Sequence, residues 1–246
     1  DISSSYNQGA VTPAVGVVIK LQPHTTLYGN YIQGLQQGMV VSAGYANAGQ
    51  IFAPYKSTQL EMGLKHDFGK ILTSIDYFQI TQPSAYADAS TNTYVRNGSQ
   101  RNRGFEFNAT GKLTSNLRFI GGVMWINGVM RHTAEGTYDG NQAVGTPHLQ
   151  LNSSVEWDIP YVKGVTVTGR SIYTSSQYYD AANTQKIPNW VRFDIGARYT
   201  ATISRKVFTF RGDIHNIGGR NYWSSALEGL TLGAPRTFFF SATADF

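Results

Sequence analysis

Five histidines, His24, His66, His132, His148 and His215, are the first residues to test for chemistry. No two stand at the i,i+2 or i,i+4 spacing that would aim them at one metal ion, and the chain has no cysteine to join them. They read as solvated or lumen-facing side chains, with only His132, beside Arg131, opening a long loop. Carboxylate pairs such as Glu61 and Asp76 could serve acid–base work. They fit better as part of a ladder of paired charges. The chain has no Gly-x-Ser-x-Gly elbow, P-loop or dinucleotide fingerprint. Metal-dependent and nucleophilic enzyme classes therefore lack their residues, and no catalytic site, metal site or bound cofactor is expected. The other conspicuous group is aromatic. Tyr45, Phe52 and Tyr55 cluster in one stretch; Tyr86 and Tyr94 fall in a second and Arg131, His132 and Tyr138 in a third. Tyr178 and Tyr179 occupy a fourth, and Tyr222 and Trp223 a fifth. Such rings in Gly-rich loops offer large, rigid contact area at low entropic cost, which suits ligand capture rather than catalysis.

The elements that would hold these stretches are strands. Residues 53–70, APYKSTQLEMGLKHDFGK, set Leu60, Met62 and Leu64 on one parity and Gln59, Glu61, Gly63 and Lys65 on the other. Period-two alternation marks a strand with two different surroundings. It recurs in about eleven runs: 13–22, 25–35, 57–67, 70–81, 100–112, 117–130, 148–158, 164–174, 190–200, 206–216 and 235–246. The connections alternate between tight turns and the long stretches 36–56, 82–99, 131–147, 175–189 and 217–234. Residues 1–12 read as the end of a loop. The pattern predicts an all-β, antiparallel up-and-down transmembrane β-barrel with turns on one rim and loops on the other.

Composition agrees. Of 246 residues only 14% are charged, against about 25% in an ordinary soluble domain, while 13% are aromatic and 26 are glycine. Mean hydropathy is only -0.26, because half of each strand is polar. No stretch of about 18 apolar residues suggests a membrane helix. The net charge of +5 is scattered, with no Lys/Arg stripe, so nucleic acid is not an expected partner. Phe105, Phe107, Val155, Trp157, Phe193, Ile195, Phe208 and Phe210 are expected to face lipid. Glu61, Glu106, Glu156, Arg192, Asp194 and Arg211 are expected to face a wet interior, since burying so many ions dry would cost several kcal/mol each. Trp157, Tyr161, Tyr199 and Phe119 fall near the turns, and Trp125, Tyr77, Tyr173 and Trp190 near the loops, as two interfacial girdles would require.

Several stretches together resemble one family. PYKSTQLEMGLKHDF, SQRNRGFEFNATGKLTSNLRFIGGVMWIN, GTPHLQLNSSVEWDI, DIHNIGGRNYW and GAPRTFFFSATADF, ending on Phe246, occur in the order found in the C-terminal half of TonB-dependent siderophore receptors. The likeness is greatest to the ferrichrome-type, hydroxamate branch. It implies a barrel of about 22 strands with a plug in its lumen. Residues 1–246 would be the C-terminal part of that barrel, with the plug domain outside this chain. It also implies an outer-membrane location in a Gram-negative bacterium, and lipid and lipopolysaccharide as neighbours. Energy would come from TonB through the N-terminal region, and a ferric siderophore would be the transported ligand, held by Tyr45, Phe52, Tyr55, Tyr86, Tyr94, Arg131, His132, Tyr138, Tyr178, Tyr179, Tyr222 and Trp223. The chelator already saturates the iron, so protein metal ligands are not needed. A passive porin or structural barrel is the alternative; an outer-membrane hydrolase would need a constellation this sequence does not carry.

Overall fold

A computed structural model describes residue 7, residues 9–225 and residues 230–245. The reading of residues 1–6 as a loop end, and the closing Phe246, lie outside the described residues. Among the described residues fifteen strands form: β1 Ala14–Gln22, β2 Thr25–Gln36, β3 Tyr55–Asp67, β4 Ile71–Asp88, β5 Thr93–Lys112, β6 Leu117–Arg131, β7 Leu149–Asp158, β8 Val165–Thr174, β9 Gln177–Tyr178, β10 Lys186–Ile187, β11 Trp190–Ile203, β12 Lys206–His215, β13 Trp223–Ser225, β14 Thr231–Leu232 and β15 Thr237–Asp245. Eleven of them make one antiparallel sheet in the order β1-β2-β3-β4-β5-β6-β7-β8-β11-β12-β15. Each strand of the sheet pairs with the next strand of the sheet along the chain, which is the predicted meander. Two small hairpins, β9–β10 and β13–β14, stand in loops.

Register carries the two-faced pattern from strand to strand. Ile19, Leu27, Leu64, Ile75, Phe107, Val123, Leu151, Tyr173 and Val191 are successive partners across the sheet from β1 to β11. Every member of that row is apolar. The row beside it on the opposite face runs Lys65, Ser74, Asn108, Gly122, Asn152. Phe105, Phe193 and Phe240 are open to their surroundings by 52%, 53% and 78%. Each such ring in water would forgo about 1.5–3 kcal/mol of burial. A whole face of them is compatible with lipid and not with water. Phe105, Phe107, Val155, Trp157, Phe193 and Ile195 are exposed on this face as expected. Phe208 and Phe210 share its parity as partners of Ala201 and Tyr199, though they are half-covered.

Among the described residues Glu61 and Asp76 form no ion pair, and Glu61 accepts the amides of Asn30 and Gln59 at 3.3 and 3.0 Å instead of joining the expected ladder. Toward the tight turns the polar face does hold ions in pairs. Arg118 grips Asp158 with two guanidinium nitrogens, at 2.6 and 2.8 Å, and Glu156 at 3.2 Å. Arg198 approaches Glu156 at 3.7 Å, and the Thr166 hydroxyl donates to Asp158 at 2.7 Å. These groups lie at the tight-turn end of β6, β7, β8 and β11 and bind four strands together. The same face forms a concavity of about 810 Å³ lined by Lys65, Glu106, Asn108, Gln150, Asn152 and Arg170 among others.

The tight turns use local chemistry. In Asp67-Phe68-Gly69-Lys70 the Gly69 N–H donates to the Asp67 carboxylate at 2.7 Å, and Gly69 takes φ +85°. Between β11 and β12 two non-glycine residues, Ser204 and Arg205, both adopt left-handed φ, 52° and 67°.

Two expectations need correction. The stretch 82–99 is not a loop. Strands β4 and β5 continue through it to a short turn at residues 89–92, so their hairpin rises well beyond its neighbours. Gln82-Pro83 signals a strand end, because proline cannot donate to the ladder. Here Pro83 sits opposite Ser99, and a register shift between Ser84 and Tyr86 absorbs the irregularity. Trp190 does not belong to a lipid-facing girdle either. It shares the parity of Arg192 and Asp194, is 9% exposed, and stacks on Tyr222 with ring centres 4.2 Å apart.

Candidate functional site

The long-loop rim folds into three packed units, each built by residues distant in sequence. The first joins residues 37–54 to the β4–β5 hairpin. Val41, Phe52 and Tyr55 are buried and pack with Tyr45, Ala85 and Tyr94. The Tyr45 and Tyr94 rings meet at 5.2 Å. Asn47 acts as a missing strand residue: its amide donates to the Tyr94 carbonyl and its carbonyl accepts the Tyr94 N–H, both at 2.8 Å. Arg96 donates to the Ala53 carbonyl at 2.9 Å and lies 5.8 Å from the Tyr55 ring.

The second unit locks residues 132–148 to residues 175–185. Asn183 makes reciprocal bonds with the Gln142 backbone, at 2.8 and 3.0 Å. Asn141 donates to the Ala181 carbonyl at 2.9 Å, and the Gly145 N–H to the Tyr178 carbonyl at 2.9 Å. Ala143 is fully buried between them. Two carboxylates brace the turns. Asp139 accepts the Thr133 N–H at 2.7 Å and its hydroxyl at 2.8 Å, and these bonds hold its carboxyl below the ordinary 3.8. Desolvation works against the ion at Asp180, yet the N–H groups of Gln185 and Thr184 with the Thr184 hydroxyl outweigh it and keep that carboxyl low as well.

The third unit ties residues 216–225 to residues 230–236. Asn216 is 1% exposed with φ 53°. Its amide donates to the carbonyls of Arg220 and Ala234 at 2.8 and 3.0 Å, its side-chain oxygen accepts the Arg220 N–H at 2.8 Å, and its own N–H donates to Asp194 at 2.8 Å. Asp194 pairs in turn with Arg192 at 3.0 Å, and Arg192 reaches the Tyr222 hydroxyl at 3.3 Å. A Cβ on Gly233 would lie 2.3 Å from the Tyr222 ring, so only glycine lets that ring seat on Trp190.

The aromatic candidates thus divide. Phe52, Tyr55 and Tyr222 are buried at 8% exposure, and Tyr45 and Tyr94 pack beside the first two. Tyr86 pairs with Val95 on the raised hairpin. Tyr178 is half-buried, 5.8 Å from the Lys186 ammonium. Tyr138, Tyr179 and Trp223 are open. His132, with φ 53°, approaches the Ser99 hydroxyl at 3.3 Å. Arg131 is the partner of Ser99 on the lipid-facing parity, pointing away from the lumen. The sequence set Trp190 in a girdle and Arg192 on the wet face and did not single out Asn183 or Asn216; the roles of all four depend on partners across loops. The only prior signal of those partners was the Asn216-to-Tyr222 motif.

The pattern of two-faced strands, tight turns on one rim and folded loops on the other has known counterparts. Residues 1–217 match the family described as TonB dependent receptor-like, beta-barrel. The chain belongs to this family. It is 36% identical over 244 residues to the ferrichrome receptor FcuA of Yersinia enterocolitica, spanning 96% of this chain and 32% of that protein. Its fold superposes on BauA, the ferric preacinetobactin receptor from Acinetobacter baumannii, with TM-score 0.86 and 37% identity over 97% of this chain and 37% of that one. The siderophore receptor PiuA from the same species shares the fold at TM-score 0.76 and 20% identity, over 94% of this chain and 35% of that one. The chain spans about a third of the length of these relatives. The family's barrels lie in the outer membrane of Gram-negative bacteria, which sets the lipid-facing row in that membrane and the long loops outside the cell. The family is one of transport receptors, which favours a receptor over a passive porin.

Proposed function

We propose that this chain is the C-terminal barrel portion of an outer-membrane receptor for energised uptake of a ferric siderophore, and that it is not an enzyme. The observation that carries this reading is a receptor-family barrel whose loop rim presents open aromatic rings above a polar lumen. FcuA and BauA are named for different siderophores at nearly equal identity, so the ligand is assigned as a ferric siderophore without narrowing to the hydroxamate branch. The plug and the segment that engages TonB belong to the rest of the receptor, N-terminal to this chain.

Within the loops eleven of the twelve candidates take two parts, and Arg131, on the lipid-facing parity, stands outside both. Tyr138, Tyr179 and Trp223 form the contact surface for the chelate, with Tyr86, Tyr178 and His132 around it. Tyr45, Phe52, Tyr55, Tyr94 and Tyr222 hold the loops in shape. Truncating a contact ring costs about 2 kcal/mol or more where it anchors the ligand, roughly a thirtyfold loss of affinity. The test is ligand titration of full-length receptor by intrinsic fluorescence, with Tyr138→Ala, Tyr179→Ala and Trp223→Ala, and circular dichroism to follow β content. At least one variant is expected to lose affinity about thirtyfold at unchanged β content. A flat profile across all three would overturn the assignment.

A further inference from the structure

Tyr138 and Tyr179 stand on different loops, yet both are tied to one seam. Past β6 the chain turns back, and residues 140–143 run antiparallel to the upper end of that strand, with Gln142 opposite Val129. The Ala143 N–H donates to the Gly128 carbonyl and the Met130 N–H to the Asn141 carbonyl, both at 2.9 Å. In an antiparallel ladder the backbone groups of the residue between them, Gln142, point the other way, where a further strand would pair. Asn183 takes that place. Its side-chain oxygen accepts the Gln142 N–H at 2.8 Å, and its amide donates to the Gln142 carbonyl at 3.0 Å. A carboxamide offers the same donor and acceptor as a peptide group, so one side chain from a distant loop extends the sheet by a residue.

Both rings are braced against this bond. Each stands four residues before its member of it, Tyr138 before Gln142 and Tyr179 before Asn183. The Asn141 N–H donates to the Tyr138 carbonyl at 3.1 Å, which fixes the approach on one side. On the other, the Asn183 N–H donates to the Asp180 carbonyl at 3.2 Å, and the Tyr179 N–H to the Gln185 carbonyl at 2.9 Å. Asn183 itself sits at φ 58°, a left-handed backbone that asparagine tolerates. Ala143 is fully buried in the seam, while the two rings remain open.

We propose that Asn183 is a positioning residue that makes Tyr138 and Tyr179 one preformed jaw for the chelate. The use of the jaw rests on the siderophore reading above; the coupling of the two loops does not. Rings fixed relative to each other meet a ligand without the cost of ordering two separate loops, and that saving appears as affinity. Asn183 acts only through the rings.

The ligand test uses the full-length receptor with ferrichrome, ferrioxamine B and ferric preacinetobactin as probes, followed with whichever the parent binds most tightly. Asn183→Gly should weaken that chelate about tenfold. Glycine accepts the left-handed backbone, so only the side-chain bonds are lost. In the Tyr138→Ala/Tyr179→Ala background the same change should alter affinity less than twofold, because the rings it positions are gone. A side chain needed only for general stability would cost the same factor in both backgrounds. An equal loss in both, or no loss in the parent, would overturn the proposal. The coupling is also read without ligand. The chain has no cysteine to compete for labels, so nitroxides at Tyr138→Cys and Tyr179→Cys report the separation of the two loops by pulsed electron paramagnetic resonance. One narrow distance distribution is expected, and one at least twofold wider once Asn183→Gly is added. Equal widths would overturn the jaw. A parent receptor that binds none of the three chelates would contradict the siderophore reading, and the distance distributions would still decide the jaw.

Discussion

Replacing Asn216 should loosen one loop unit and leave the barrel intact. Its side chain makes three hydrogen bonds, to the Arg220 N–H, the Arg220 carbonyl and the Ala234 carbonyl. Each contributes about 1 kcal/mol net, and more where a buried partner is left without water. Its φ of 53° is tolerated by asparagine and costs an alanine about 1 kcal/mol. Asn216→Ala should therefore cost the closed loop about 4 kcal/mol. Asn216→Gly loses the same bonds without the left-handed penalty, so it should cost about 3 kcal/mol. Because every 1.4 kcal/mol is a factor of ten, protection of the Arg220 amide should fall about a thousandfold in the alanine variant and several-fold less in the glycine variant. Hydrogen exchange of the full-length receptor, read on the peptide containing Arg220, gives both numbers. Exchange in the β6–β7 wall, on the far side of β8, should stay the same. An Arg220 amide whose protection falls less than tenfold would show that the Asn216 bonds do not hold this loop. A glycine variant that exchanges faster than the alanine variant would refute the account of its backbone.

Arg118→Met removes the bidentate clamp on Asp158 and the contact with Glu156; at about one-third exposure these are worth about 1–2 kcal/mol together, read as a lower unfolding temperature in detergent. Ser204→Asn with Arg205→Gly supplies the residues that a two-residue turn with positive φ prefers, and should raise that temperature, by about 1–2 kcal/mol of added stability. Asp139 and Asp180 have lowered values in the folded loops, so their contribution is present above the ordinary 3.8 and is lost as pH falls below it through the lower folded values. Protection of the Thr133 and Gln185 amides relative to their intrinsic exchange rates should fall on acidification across that range, and Asp180→Asn should show the Gln185 effect already at neutral pH.

The strands were legible because their two faces meet two solvents, and period-two alternation records that directly. Leu60, Met62 and Leu64 against Glu61, Gly63 and Lys65 suffice to orient β3. Register then follows from tight turns such as Asp67-Phe68-Gly69-Lys70. The raised β4–β5 hairpin was hidden because Gln82-Pro83 and Gly98 imitate strand ends, and only the cross-strand pairing of Pro83 with Ser99 contradicts them. Trp190 was misplaced for a related reason: aromatic type is the same in a lipid girdle and in a loop stack, and parity alone tells them apart. The rim was least legible. Loop aromatics can be found by type, but Phe52 and Tyr55 are buried by Val41 and the raised hairpin, while Tyr138 and Tyr179 remain open. That distinction depends on Asn47, Asn183 and Asn216, which bond to backbone groups up to 47 residues away in sequence. No local pattern encodes such partners.

The most direct test of the receptor reading is uptake of radioactive iron, supplied as ferric siderophore, by cells expressing the full-length protein with and without a membrane proton gradient. Uptake is expected to be saturable and to stop when the gradient is collapsed, while binding at the cell surface persists. Uptake that rises linearly with concentration and continues without the gradient would contradict it and identify a passive pore.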